Sequence, residues 1–401
     1  MNMNTAQDVS PSIAIIGSGP SGCYAAQFLR RQWRDAEIVI FDRLALPYGL
    51  VRYGVAPDHQ GTKAVTKQFD RLFERDAVTF VGRTEIGSDI TLEALRESFD
   101  VVLLATGLSA DRPLDGAGAD LPGIFGAGAI TRLVNGHPEE DADTLVLGQT
   151  VTIVGQGNVA IDLVRLFLTP AAELRALGVD EAVVSALGRG PVRSIEIVGR
   201  SHAPTAKFDV AMARELGRLP DVRFLADGLL ASLTRAEPDP RITAITELVQ
   251  SSPAEASRLV QFRFGWTPES VAGTAAVASI TFRSASGSGE TLTIPTDSVC
   301  TAIGFSERED AALRRADLES AATDLDRGVL DDGLYCVGWL RRGPHGTIPA
   351  NRVDSRMVVD EIIAAVQDGT LIPYKPGYGN LTSPTLTPSI HSALTLIREN
   401  S

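Results

Sequence analysis

A chain of 401 residues is long enough for two or three domains of about 150 residues, each with its own buried core. With 44% apolar and 22% charged residues, it has the make-up of a soluble globular protein, which argues against a mainly disordered one. A net charge of −13 argues against nucleic acid as a partner, because that binding rests on a basic footprint.

The opening residues, MNMNTAQDVS, are polar and run straight into an apolar strand, with neither the basic start nor the long apolar core of a signal peptide. No apolar run approaches the ~20 residues that span a bilayer, so a cytoplasmic location is expected. Ile13 to Ile16 read as a buried strand that must stop at Gly17. Gly17, Gly19 and Gly22 then form G-x-G-x-x-G. Its first glycine permits the tight turn, its second lets the backbone approach a diphosphate, and its third lets the helix pack on the strand. A helix opening around Pro20 and Ser21 turns its unsatisfied N–H groups toward that seat, so an anion needs no basic side chain. The next apolar run, EIVIFD, ends at Asp42, 20 residues beyond Gly22. There an acid accepts hydrogen bonds from the ribose hydroxyls of an adenosine.

VVLLATG (101–107) reads as another strand running into a glycine turn at Ala105, Thr106 and Gly107, and SVCTAIGF (298–305) as its counterpart later in the chain. Between them VTIVGQGNVAIDLVRLFL (151–168) repeats the strand, turn and helix. Gly155 and Gly157 hold the first two positions of the fingerprint and Ala160 the third, where a methyl group still allows close helix packing. Gln156 lies in the turn, and Asn158 and Val159 present backbone N–H groups to a second diphosphate. The strand that follows, SIEIVGR, ends in Gly199 and Arg200 instead of an acid. An arginine there fits the dianionic 2′-phosphate of NADP(H) by bidentate, charge-assisted hydrogen bonds. An acid in one cradle and an arginine in the other predict FAD in the first and NADP(H) in the second.

Cys23, Cys300 and Cys336 are far apart, with no C-x-x-C anywhere. That excludes a dithiol centre, a zinc site and a protein-ligated iron–sulfur cluster, and leaves three small core residues. SASGSGE (284–290) is expected at a hairpin tip and EPDPR (237–241) in a loop. Near the end of the chain, DGLYCVGWLRRGPHGTIPANRVDS closes a strand at Gly338 and opens a helix after several loop glycines, a stretch suited to completing a flavin pocket.

Three words, LPYGLVRYGVAPDHQ, VTIVGQGNVAID and GWLRRGPHGTI, occur in the order found in the adrenodoxin reductase type of ferredoxin–NADP reductase, which the chain resembles over nearly its full length. The resemblance implies an α/β, glutathione-reductase-like fold with two Rossmann-like dinucleotide-binding domains. An FAD domain of residues 1–108 and 330–401 would receive an NADP domain, 109–329, as an insertion. By the same resemblance FAD contacts fall on Ser21, Asp42, Gly49, Leu50, Ile86, Gly338, Trp339, Gly346, Thr347 and Ile348. NADP contacts fall on Gln156, Gly157, Asn158, Val159, Arg200 and Gly346. Two positions depart from the family pattern: Ser201 and His202 follow Arg200 where a second arginine is usual, and Met212 stands where the family has a glutamate that contacts NADP. Ser201 is retained as a phosphate contact, and Lys207 is the nearest cation that could compensate.

The implied reaction moves a hydride from NADPH to FAD and then single electrons to a ferredoxin-type iron–sulfur protein. His59, in APDHQ, is the candidate for a proton or hydrogen-bonding role beside the flavin. Because such ferredoxins are acidic, a chain of charge −13 needs a local basic patch, and Arg214 and Arg218 stand at i and i+4 in VAMARELGRLP to provide it, with Arg341 and Arg342 as possible additions. Glycine loops do not name the final acceptor. An NADPH-dependent flavin oxidase or monooxygenase is thus an alternative, and a non-catalytic nucleotide-binding scaffold a second.

Overall fold

The computed structural model describes residues 10–229, 239–311 and 314–381. The polar N-terminal segment and part of the 237–241 loop therefore lie outside the described residues. The chain divides into two compact units, one of residues 1–55, 59–109 and 306–401 and one of 56–58 and 110–305. The return expected at 330 falls inside the first unit. Leu318, from helix Arg315–Ala321, is buried in the core under that unit's sheet, and Leu325 packs against the same core.

In the first unit six strands are ordered Val329–Asp331, Leu334–Cys336, Val101–Leu104, Ile13–Ile16, Ile38–Phe41, Thr79–Val81. All pairings are parallel except that of the edge strand Val329–Asp331. The central strands are apolar throughout because both of their faces are covered. Ile13, Ile15, Leu103 and Val101 join the helices Pro20–Gln32 and Ile348–Gln367 in one core. Ala14, Val102 and Leu104 join Leu95, Phe99 and Leu318 in the other. Buried Asp100 ties distant parts of this unit: its carboxylate accepts from Ser12 N and Oγ, both at 2.8 Å, and from the backbone N–H groups of Tyr374 and Lys375 at 2.9 Å.

The second unit repeats the plan with six parallel strands, ordered Ile124–Gly126, Ser298–Thr301, Thr150–Val154, Ser194–Gly199, Arg258–Phe264, Val222–Asp227. Helix Asn158–Leu168 buries Ile161, Leu163, Val164 and Leu168 against this sheet. A three-stranded antiparallel sheet of Trp266–Gly273, Val277–Ser284 and Thr291–Pro295 is added to it, and residues 285–290 form the hairpin tip. All three cysteines are buried on separate elements, and burial pushes every thiol up, as fits small core residues. Among the described residues no helix is long and apolar enough to cross a membrane.

Candidate functional site

Each unit carries a turn from which side chains are excluded by geometry. Gly17 has φ +108, and a Cβ there would stand 2.4 Å from the Ala105 carbonyl oxygen; one on Gly22 would stand 2.0 Å from that of Gly17. Gly19 differs, since a Cβ would meet nothing within 4 Å. It begins helix Pro20–Gln32 with no side-chain cap, so the first-turn N–H groups lack a capping oxygen and face open space. Pro20 has no N–H to leave unsatisfied there.

The second unit repeats this turn, with alanine in the third position. Gly155 has φ +124 with a Cβ position 2.2 Å from the Ala302 oxygen, Gly157 has nothing within 4 Å, and helix Asn158–Leu168 starts at Gly157 with no side-chain cap. Ala160 is fully buried in the third position. The Asn158 side chain is turned away, its Oδ1 accepting from Asp209 N at 2.7 Å, while Lys207 N donates to Gln156 O at 3.2 Å. That leaves the backbone of Asn158 and Val159 for a ligand. The Gln156 amide nitrogen donates to Arg263 O at 2.8 Å, but its buried Oε1 has no hydrogen-bond partner. Two bare cradles, each at an uncapped helix start, one with an orphaned acceptor, fit two dinucleotides.

Asp42 ends its strand as expected and does two things. Its Oδ2 accepts from Ser18 N at 2.8 Å and from Ser18 Oγ, and its Oδ1 accepts from Leu44 N at 2.9 Å, which braces the glycine turn. It also lines a cavity with Gly17, Ile86, Thr106 and Gly107, where its remaining Oδ1 lone pair can meet a ribose. Glu85 and Arg308 line the same cavity and pair at 3.2 Å, and Arg308 also holds Asp310. Nothing in their sequence surroundings marks them, since they come from distant parts of the chain. Above the turn, Tyr48 N donates to Ser18 O at 3.0 Å from a left-handed backbone, φ +89. The Cα of Gly19 lies 3.2 Å from where Gly49 would place a Cβ, so Gly49 is bare for close approach, and Leu50 begins the short helix that follows.

The late glycine stretch closes on the same unit. Gly338, φ +77, has the Ser21 hydroxyl 2.3 Å from its Cβ position. Trp339 donates from Nε1 to His345 O at 3.1 Å and opens the short helix Trp339–Arg342. Gly346, φ +86, and Thr347 lead into helix Ile348–Gln367, which again has no side-chain cap. His59 is half-buried; its carbonyl accepts from the N–H groups of Thr62 and Lys63 at the head of helix Gln60–Lys63.

In the second unit Arg200 is exposed just past its strand. The Ser201 carbonyl accepts from Gly265 N at 3.2 Å, and Gly265 leaves room for the His202 ring, which lies 3.3 Å from its Cβ position. Met212 packs partly buried against the core, an apolar role in place of a ligand contact, and Lys207 is exposed. The single helical face expected for Arg214 and Arg218 does not form. The α-helix spans Val210–Glu215, and Arg218 lies on a following 3-10 turn, Leu216–Arg218, because Gly217 and Pro220 do not sustain it. Arg214 is neutralised by Glu247 at 3.0 Å, while Arg218 is exposed.

A charged cluster absent from the sequence reading surrounds buried Arg165. Its guanidinium takes Asp58 in a two-point contact at 2.9 and 2.8 Å, Asp162 at 3.1 Å and Glu215 at 3.2 Å. Burial pushes the Asp162 carboxyl up to about 7, with Arg165 opposing and Asp58 and Glu215 adding to the rise. An unfolded Asp ionises near pH 4, so below that pH the group is neutral in both states and has no effect. Between about pH 4 and 7 the unfolded state loses its proton first, stability falls as pH rises, and above 7 the whole penalty is present. Asp162→Asn is therefore expected to raise stability at pH 8 by up to a few kcal/mol and to leave it unchanged at pH 4. Urea unfolding at the two pH values checks this.

Comparison with known proteins agrees with this geometry. Residues 11–203 match the family model for pyridine nucleotide-disulphide oxidoreductases. The chain is 46% identical to cindoxin reductase of Citrobacter braakii, over 94% of this chain and 82% of that one. It is 32% identical to the mitochondrial NADPH:adrenodoxin oxidoreductase of Bos taurus, over 91% and 81%. The chain belongs to the adrenodoxin reductase family. Membership agrees with the solved structure of Mycobacterium tuberculosis FprA in complex with NADPH, which superposes with a TM-score of 0.81 at 27% identity, covering 91% of this chain and 87% of that one. The fold is accordingly α/β with two Rossmann-like units, the second inserted into the first, and the chain binds FAD and NADP(H). The dithiol chemistry in the broader family's description has no counterpart in three separately buried cysteines.

Proposed function

We infer that this chain is an NADPH-dependent flavoprotein reductase that delivers single electrons to a ferredoxin-type iron–sulfur protein, and that it works in the cytoplasm. When bound, FAD supplies the chemistry by taking a hydride from NADPH and releasing electrons one at a time. The polypeptide binds, orients and excludes water. The turn from Gly17 to Gly22 holds the FAD diphosphate on backbone N–H groups, Asp42 the adenosine ribose, and Ile86, Ala105, Thr106 and Gly107 the walls beside it. Gly49, Leu50, Gly338, Trp339 and Gly346 to Ile348 shape the ring's surroundings. Gly155 to Val159 hold the NADP(H) diphosphate, and Arg200 with Ser201 and His202 the 2′-phosphate. His59 takes the proton or hydrogen-bonding role beside the flavin.

The observation that carries this reading is the duplicated bare cradle at an uncapped helix start, in a chain 46% identical to a cindoxin reductase. Relatives named for adrenodoxin and for ferredoxin support the class of acceptor. Electron transfer needs only a small, transient interface, and exposed Arg218 is the proposed docking cation, with Arg214 contributing once a partner's acid competes with Glu247 for it. The test is anaerobic: the yellow protein, mixed with NADPH, should lose its visible flavin band and then reduce a ferredoxin and, through it, cytochrome c. Turnover that reaches only oxygen would favour the oxidase alternative. A colourless chain that FAD cannot reconstitute would favour the scaffold.

A further inference from the structure

The stretch assigned above to the flavin ring rests on a buried charge network that no part of the sequence reading required. Asp354, in the second turn of helix Ile348–Gln367, has a side chain only 2% exposed. It accepts from Gly338 N at 2.6 Å, from Arg341 Nε at 3.1 Å and again from the Arg341 Nη2, and its Oδ1 lies 3.0 Å from Arg342 Nε. One carboxylate thus faces two guanidinium groups. The Arg341 Nη1 donates to the carbonyls of Leu325 and Asp326. Arg342 turns the other way, donating to His345 O at 2.8 Å and to Asn351 Oδ1 at 2.7 Å, and its Nη1 lies 3.2 Å from the Cβ position of Gly346.

Counting charge about this loop leaves it positive. Arg315, whose Nη2 donates to Arg341 O at 3.3 Å, is balanced by Glu319 at 2.7 Å. Arg341 and Arg342 share Asp354, an excess of one cation. No acid stands in the first turn of the long helix, and Thr347 gives it no side-chain cap, so the positive end of the helix dipole adds to the same spot. A site with one exposed glycine, Gly346, and a fixed cation beside it favours negative charge in whatever that glycine admits.

We propose that Arg342 and Asp354 are opposed positioning residues that set the reduction potential of the flavin: Arg342 is a fixed cation beneath Gly346 that favours the reduced ring, and Asp354 is its counterweight. This rests on the assignment of the Gly338–Ile348 stretch to the ring. A hydride carries one proton and two electrons; its transfer converts NADPH to NADP+ and leaves the flavin one unit more negative unless a second proton follows. The cation therefore interacts more strongly with the reduced state than with the oxidised one. The difference appears as potential, not as affinity for oxidised FAD.

The test uses the FAD-loaded full chain and measures the two-electron midpoint potential by equilibration with reference dyes, together with the dissociation constant of oxidised FAD. Arg342→Met should lower the potential by about 30 mV, a tenfold loss of preference for the reduced ring, with a smaller change in oxidised-FAD affinity. Arg342→Lys should restore most of it, because the charge returns without the fork. Asp354→Asn should move the potential in the opposite direction, upward. If Asp354→Asn does not fold, the methionine and lysine variants decide the matter alone. An unmoved potential in Arg342→Met, an equal fall in Arg342→Lys, or a fall in Asp354→Asn overturns the proposal and leaves a structural role only. A wild-type chain that NADPH fails to reduce overturns the functional reading instead, and the two failures are thereby distinct.

Discussion

Gly155→Ala should weaken NADP(H) binding at least a hundredfold while FAD stays bound. The backbone at Gly155 has φ +124, which side chains rarely adopt, and the added methyl would sit 2.2 Å from the Ala302 carbonyl oxygen, itself fixed because Ala302 N donates to Val154 O at 2.7 Å. Left-handed strain alone costs about 1–3 kcal/mol, and overpacking against rigid backbone adds a similar amount. The turn must therefore open, and with it the placement of the Asn158 and Val159 N–H groups. A loss of at least a hundredfold in affinity corresponds to about 2.7 kcal/mol and lies within that range. Titration with NADP+, followed through flavin absorbance, reads it directly. Near-normal affinity in a folded, yellow variant would mean that the second glycine turn does not hold the diphosphate. Gly17→Ala makes the mirror case: with φ +108 and a contact of 2.4 Å to Ala105 O, it should lose FAD.

Arg200→Ala should raise KM for NADPH by roughly 10- to 150-fold, the equivalent of 1.5–3 kcal/mol for a hydrogen bond to a charged group. KM for NADH should hardly change, because that nucleotide has a hydroxyl where the phosphate would be. Arg200 is exposed at its strand end, so screening by salt should shrink the effect at high ionic strength. Its neighbours Ser201 and His202 supply less fixed charge than the second arginine usual in the family. Ser201→Arg should accordingly sharpen the preference for NADPH. Steady-state kinetics with both nucleotides checks these outcomes, and equal losses for both in Arg200→Ala would remove that residue from phosphate recognition.

The glycine turns, the strands that feed them and the helices that leave them were legible because each is a local matter. Gly17 and Gly155 are needed by the backbone within a few residues of themselves, and Ile13–Ile16 and Thr150–Val154 advertise burial on both faces by continuous apolar runs. The acid at Asp42 and the cation at Arg200 were legible for the same reason, since a strand end follows its turn at a fixed distance. The single helical face for Arg214 and Arg218 was not legible, because helical periodicity does not carry across Gly217: there the chain tightens into a 3-10 turn, and Glu247 reaches Arg214 from another helix.

Sequence by itself thus determined the class of fold, the two bare cradles and the pair of cofactors, because steric exclusion at glycine and charge at strand ends act over short stretches of chain. Tertiary structure alone decided which ionised groups meet. Asp58 and Arg165 are 107 residues apart, Glu85 faces Arg308, and Asp354 gathers two arginines beneath a glycine loop. A charge's energy depends on distance and burial in space, and neither can be read along the chain until the apolar core has brought the segments together.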